Sequence, residues 1–273
     1  MSRKPRNILA HAVLTVGAVV MVSPFLWQIL MSLSTNQQVT SVPPTFWPDA
    51  FHWENYREVF ERLPFLRQFW VSIAVTFLRV LGQVILCPMA AYAFARMRFP
   101  LKGALLVLVL SITMVPPQIY LIPQVEIIQR LNLLDTIWGI ALPGFFSAFS
   151  VFLMRQVFLG MPPELEEAAR LDGANPIRIY LSIMLPLARP GLSALIILTT
   201  LWSWNDLLWP LVVTTYSENV PLSVGLASLA NNVTVDYTVM MAASLMAIAP
   251  IAVLFIALQR RVMEGLAFAG LKG

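Results

Sequence analysis

Six stretches of this chain are long and apolar enough to cross a lipid bilayer, and that feature constrains the fold more than any other. A hydrocarbon core of about 30 Å takes about 20 helical residues. Residues 8–33, 68–95, 103–125, 136–154, 190–211 and 237–259 meet that length, and the charged residues within them are Arg79 and Asp206. The chain is 58% hydrophobic and only 12% charged, where a soluble domain carries about 25% charged residues. One aqueous core cannot hide that much apolar surface. In lipid the backbone must satisfy its own hydrogen bonds, which helices do within one segment. The expected fold is therefore all-α, a polytopic membrane domain spanning residues 1–273 with six transmembrane helices. Arg3, Lys4 and Arg6 precede the first span as in a signal peptide, but the span is too long and no small-residue cleavage site follows.

Orientation follows from the basic residues. With the N-terminus inside, the inner segments hold Arg3, Lys4, Arg6, Arg96, Arg98, Lys102, Arg155, Arg170, Arg178, Arg189, Arg260, Arg261 and Lys272. The outer segments hold Arg57, Arg62, Arg67 and Arg130. This asymmetry places both termini in the cytoplasm. The net charge of +4 is spread over short loops, with no basic patch interleaved with aromatics, so nucleic acid is excluded as a partner and membrane lipid is the expected surroundings. No internal repeat of the kind found in secondary transporters is present.

Several residues stand out inside the spans. Pro116 and Pro117 break the third, and their freed carbonyls should face the protein interior. Pro24, Pro88 and Pro250 should give milder kinks. Cys87 sits in an apolar run and reads as a packing thiol. Arg79 must face protein or water, held in a salt bridge or carbonyl clamp, or touching a ligand. Asp206 lies near the outer end of its span, where it is interfacial or caps backbone. Gln118 and Asn205 are candidates to line a route. Trp202, Trp204 and Trp209 suit an interfacial belt or stacking on the apolar face of a ligand. His11 and His52 are isolated, no metal-ligand cluster exists, and no Gly-x4-Gly-Lys-Ser/Thr phosphate loop occurs. The chain itself offers no catalytic residues and no cofactor site.

The largest inner loop, 155–189, reads as two short helices. In Pro162-Pro163-Glu164-Leu165-Glu166-Glu167-Ala168-Ala169-Arg170-Leu171-Asp172-Gly173, proline suits the helix start and Glu164 its first turn. Glu166 and Arg170 are spaced to pair. Gly173 suits a left-handed cap. A second piece, Ile177 to Leu185, is expected to stop at Pro186. With Ala168 and Ala169 on its surface, the first helix fits docking into a partner's groove or lying on the membrane surface.

The pattern Glu167-Ala168-Ala169, three residues, Gly173, nine residues, Ile183, one residue, Leu185-Pro186 resembles the EAA motif of binding-protein-dependent ABC permeases, with every defined position filled. Further segments resemble the carbohydrate branch, specifically the second permease of maltose-type importers. They are Glu54-Asn55-Tyr56, Ala91-Tyr92-Ala93-Phe94-Ala95-Arg96, Pro116-Pro117-Gln118 with Leu121-Ile122-Pro123, Trp204-Asn205-Asp206 with Pro210, and the tail from Gln259 to Lys272-Gly273. Arg79 departs from that pattern.

The resemblance implies a type I importer permease, multi-pass in the bacterial inner membrane. It implies a heterodimer with a homologous second permease, two ABC ATPase subunits that bind ATP and Mg, and an extracytoplasmic solute-binding protein. Coupling to the ATPases would fall to Glu166, Glu167, Ala168, Ala169, Asp172, Gly173, Ile183, Leu185 and Pro186. The outer segment 214–236, with Ser228, Asn231 and Asn232, would face the binding protein or serve as a solvated connector. The tail would insert between the ATPases. A sugar or oligosaccharide is the expected cargo. Alternatives are glycerol-3-phosphate or a glycerophosphodiester, and, in another class, a scaffold that anchors ATPases without transport.

Overall fold

Helix is the secondary structure these apolar runs adopt, and the described residues hold no β-strand. The computed structural model describes residues 4–43, 45, 47–216, 219–230 and 235–270, and side chains at all of these except 4–9, 254–255 and 257–270. In chain order the helices are α1 (Lys4–Ser32), α2 (Asn36–Val39), α3 (Glu54–Arg62), α4 (Phe65–Arg96), α5 (Lys102–Ser111), α6 (Leu121–Arg130), α7 (Ile137–Ala141) and α8 (Ala148–Leu159). They continue as α9 (Glu164–Leu171), α10 (Pro176–Ile179), α11 (Leu185–Leu187), α12 (Arg189–Trp204), α13 (Leu208–Val213), α14 (Leu222–Ala230) and α15 (Tyr237–Gly270).

Two helices, Ala10–Ser32 and Phe65–Arg96, are unbroken and long enough to cross a membrane. Three further pairs of helices are long and apolar enough to cross if each bent pair is taken as one span: Lys102–Met114 with Pro117–Arg130 at 98°, Ile137–Gly144 with Ala148–Leu159 at 43°, and Pro176–Leu187 with Arg189–Trp204 at 75°. The 98° bend falls at Val115-Pro116. The segment does not face the interior of this chain, because residues 111–120 are exposed. Short 3-10 turns on either side explain why: Val115 N–H donates to Ile112 O (3.2 Å) and Ile119 N–H to Pro116 O (3.0 Å), so part of the backbone is satisfied locally. Pro24, Pro88 and Pro250 sit within continuous helices.

The chain divides into two compact units, residues 1–66 with 225–250 and residues 67–224 with 251–273. In the first, the end of α1 is closed by side chains from α3. Asn55 Nδ2 donates to both Ser32 O and Ser34 O (2.9 Å each), and the Tyr56 and Ser32 hydroxyls share a 2.8 Å bond. The Glu54-Asn55-Tyr56 segment thus supplies caps for carbonyls that a helix end leaves orphaned. Arg62 joins Glu58 and Asp236, the latter at 3.0 Å, and its hydrogen bond to Glu58 holds the guanidinium pKa above its ordinary value.

The second unit has two cores. One packs Cys87, Ala91 and Tyr92 of α4 against Val151, Met154 and Phe158 of α8, Ala169 of α9, and Leu195 of α12. The other joins Val71 and Val75 of α4 to Ile128, Ile140, Trp209 and Val213. Thr136 caps α7 at Gly139 N–H, Ser147 caps α8 at Ser150 N–H, and Asn175 caps α10 at Arg178 N–H; the polar caps restart helix after each break. Gly82 allows the close approach of Phe145. A Cβ there would lie 2.6 Å from Phe145 Cγ and 3.0 Å from its Cα. Gly82→Ala should therefore cost about 1–3 kcal/mol by overpacking, read as a lowered melting temperature of the purified protein in detergent. Gly103→Ala, where nothing lies within 4 Å, should not lower it.

Candidate functional site

The loop between α8 and α12 folds back on the rest of its unit through one buried carboxylate. Glu166 is 3% exposed. Its Oε1 lies 3.2 Å from Arg96 Nε and its Oε2 2.9 Å from Arg170. Arg96 ends α4, and it also donates to Phe158 O at 2.7 Å and to Met161 O. One guanidinium therefore ties the end of α4, the end of α8 and the side of α9. Nearby cations repeat the pattern: Arg155 donates to Phe94 O (3.3 Å), and Lys102 to Ala95 O (3.3 Å) and Met97 O (2.9 Å). Positive groups at carbonyl-rich helix ends match the helix dipole.

Two residues expected on the docking face lie elsewhere. Glu166 and Ala169 point inward, Glu166 to Arg96 and Ala169 into the core. They are three apart and share a face, and the ion pair and the small side chain both let α9 sit close to α4 and α8. The outward face carries Glu167, Ala168 and Asp172, together with Leu171 (90% exposed) and Ile177 (69%). Sequence reasoning missed Leu171, Ile177 and Arg96; the apolar pair flanking Gly173 was the available signal.

Gly173 adopts φ +78°. Gly173 N–H donates to Arg170 O (3.0 Å) and Ala174 N–H to Ala169 O (2.9 Å), the paired bonds of a left-handed helix stop. The second piece does not stop at Pro186. It runs through a π-helical turn, Tyr180–Met184, into α11 and ends at Leu187. The wide turn accommodates the missing proline N–H. Ile183 and Leu185 pack on the core and Pro186 is half-buried.

A second polar site lies along α4 and α12. Arg79 Nη1 meets Asp206 Oδ2 at 2.8 Å, and Nη2 donates to Ile140 O at 2.8 Å. The ion pair and the carbonyl clamp are thus both present. Asp206 also accepts at its backbone from Ser223 Oγ (2.6 Å). Below the pair, Gln83 Nε2 donates to Gly144 O (2.9 Å), and its Oε1 accepts from Ser150 (2.7 Å) and Thr199 (2.8 Å). Arg79, Gln83, Gly144, Thr199, Trp202, Ser203 and Asp206 wall a cavity of about 280 Å³. Of the four pathway candidates, the structure brings together Arg79 and Asp206. Gln118 is exposed on its 3-10 turn, and Asn205 Nδ2 turns back to Leu201 O at 2.8 Å, capping α12; neither lines the cavity. Gln83, Thr199 and Ser203 were not anticipated, although polar side chains at helical spacing within apolar spans were the clue.

The tryptophans divide. Trp209 is a core residue, not a belt residue: it is buried and donates from Nε1 to Gly139 O at 3.2 Å. Trp204 meets Phe69 edge-on (6.0 Å between ring centres), and Trp202 is half exposed beside Phe149 (5.1 Å). Within segment 214–236, helix α14 has Leu222 and Leu229 buried, so this part is no open connector. Ser228 Oγ bonds to Gly225 O (2.7 Å). Asn231, Asn232, Lys272 and Gly273 lie outside the described residues.

Residues 83–266 match the family described as binding-protein-dependent transport system inner membrane component. The arabinooligosaccharides transport system permease protein AraQ of Halalkalibacterium halodurans is 36% identical, covering 100% of each chain. The sn-glycerol-3-phosphate transport system permease protein UgpE of Pectobacterium atrosepticum is 31% identical over 97% of each. Among solved structures, a chain of a bacterial ABC transporter involved in import of the acidic polysaccharide alginate aligns with a TM-score of 0.79 and 26% identity, covering 95% of this chain and 98% of that one. A chain of the inward-facing MetNI methionine ABC transporter, at 18% identity and TM-score 0.54 over 73% of this chain and 95% of that one, shares the fold.

The buried Glu166 clasp yields a stability prediction. Removing Arg96 leaves the buried Glu166 with only the half-exposed Arg170 and frees the Phe158 and Met161 carbonyls, a cost bounded by the about 3–5 kcal/mol of breaking a buried pair outright. Arg96→Met should lower the melting temperature of the purified protein far more than Arg57→Met, whose partner Glu61 and own side chain are both exposed. Equal melting of the two variants would contradict the clasp.

Proposed function

The chain belongs to the family of binding-protein-dependent transport system inner membrane components, and from that premise we propose that it is the second permease of an ATP-driven sugar importer, coupled to its motor through α9. The carrying observation is the outward face of α9. Gly173 completes a sharp left-handed stop; beside it Glu167, Ala168 and Leu171 stand exposed on a helix that Glu166 and Ala169 anchor from behind, and Ile177 stands exposed on α10 just past the stop. A small residue flanked by apolar and acidic groups suits insertion into a cleft of an ATPase subunit. Under this reading Glu167 pairs with a basic group of the ATPase, Asp172 lies at the same edge, and Ile183, Leu185 and Pro186 pass displacement to the membrane helices.

The remaining assignments follow from the same reading. The six spans cross the bacterial plasma membrane with both termini in the cytoplasm, which puts α9 on the side where ATP is available. A homologous second permease completes the pathway, two ATPases hold ATP and Mg, and a solute-binding protein delivers cargo outside. Arg79 and Asp206 belong to the pathway wall. Ser228, Asn231 and Asn232 face the binding protein, and the tail reaches the ATPases. Support for sugar as cargo comes from AraQ, and the UgpE relatives support glycerol-3-phosphate as the second reading. A scaffold that anchors ATPases without transport predicts ATP hydrolysis in the complex with no vectorial uptake.

The test is uptake by the reconstituted four-subunit complex with its binding protein, using labelled arabinooligosaccharide and glycerol-3-phosphate. Glu167→Lys should abolish uptake and cargo-stimulated ATP hydrolysis while the chain still inserts and pairs with the second permease. Normal uptake by that variant would refute the coupling role. A milder probe is Gly173→Ala, which places a Cβ at φ +78° and costs about 1–2 kcal/mol of backbone strain. It should slow ATP-driven uptake at unchanged cargo affinity.

A further inference from the structure

The geometry points to the cavity beneath the Arg79–Asp206 pair as a subsite for one ring of a neutral sugar, and not for an anion. This deepens the importer reading above and rests on it. A cavity of about 280 Å³ lies at the small end of ligand pockets, which run from about 300 to 1,000 Å³, so it takes about one ring of a longer chain.

Charge decides against an anion. Arg79 is 8% exposed and spends Nη1 on Asp206 and Nη2 on Ile140 O, both at 2.8 Å. Its positive charge is therefore cancelled inside the wall. A phosphate or carboxylate would have to displace Asp206 and leave that carboxylate without its partner in a poorly solvated place, which is costly.

Hydroxyl groups meet no such obstacle, because each can both donate and accept. The ion pair uses Asp206 Oδ2, which leaves Oδ1 to accept. Ser203 Oγ receives the Thr76 hydroxyl at 3.2 Å, so its own proton is available to donate. Trp202 contributes an indole that is 51% exposed, an apolar face suited to the C–H side of a sugar ring beside polar groups that fix its orientation.

The experiment uses the complete importer, both permeases with their ATPases, in lipid nanodiscs without the binding protein. Titration calorimetry is run with arabinotriose and maltotriose as neutral probes and glycerol-3-phosphate as the anionic one. A neutral trisaccharide should bind, and Trp202→Leu and Ser203→Ala should each weaken it by about tenfold or more. Trp47→Leu, an exposed tryptophan in the other unit, should not. Glycerol-3-phosphate should bind the wild type no better than buffer, and Asp206→Asn should gain affinity for it. The proposal is overturned if neither trisaccharide binds, if glycerol-3-phosphate binds the wild type as well as they do, or if Trp202→Leu binds normally. Failure of the subsite is distinguishable from failure of the importer reading: in the first case ATP-dependent uptake persists at wild-type rates in Trp202→Leu, and in the second the wild type shows no ATP-dependent uptake at all.

Discussion

An arginine in the middle of a 32-residue apolar helix cannot be left to itself. In hydrocarbon such a side chain costs at least about 2.5–3.5 kcal/mol even on lenient scales, and α4 can keep Arg79 only if other elements neutralise it. Asp206, 127 positions later, supplies the counter-charge, and the Ile140 carbonyl supplies a second acceptor. Arg79 thereby fixes the mutual placement of α4, the α7 turn and the end of α12. Gly144 is small because the guanidinium stem lies where its Cβ would be, with Nε 2.7 Å away. Gln83, one turn further along α4, repeats the logic with neutral groups by bridging Gly144 O, Ser150 and Thr199.

At its other end α4 is held by a second arginine. Arg96 grips the Glu166 carboxylate and two carbonyls that close α8. Seventeen residues separate Arg79 from Arg96, which is about 25 Å along a helix rising 1.5 Å per residue. Pro88 lies between them without ending the helix. The clasp on α9 and the ion pair at the cavity are thus two fixtures on one continuous rod. The proposed coupling at α9 and pathway at Arg79 call for such a connection, since a packed interior transmits strain.

Much of this was legible in the sequence. Apolar length gave the helices, and Pro116-Pro117 gave the sharpest bend. Gly173 announced its left-handed turn because few other residues accept a positive φ at low cost. The two charges within the spans, Arg79 and Asp206, are of opposite sign, and burial in lipid leaves them strong reason to meet; their pairing was readable in principle from that alone. The direction in which α9 faces was not. Glu166 and Glu167 are adjacent, chemically identical and a hundred degrees apart around the helix. Which one turns inward depends on Arg96, a residue 70 positions away whose reach cannot be read from spacing. The same holds for Trp209: its indole proton goes to Gly139 O, and a tryptophan with a buried carbonyl partner belongs to a core and not to an interfacial belt.

The family motif gains a physical explanation from this division of labour. Of its first positions, Glu167 and Ala168 are outward and Ala169 is inward, so one short helix serves two surfaces at once. An alanine is small enough for either: outward, it lets a partner's backbone approach; inward, it lets α9 lie against Met154 and Phe158 of α8 in the same core. A larger residue at Ala169 would lift the helix off its seat and pull Glu166 from Arg96, while a larger residue at the exposed Ala168 would leave the seat intact and obstruct only the proposed docking. The two adjacent alanines thus answer to separate constraints, Ala169 to the internal seat against α8 and Ala168 to the proposed docking.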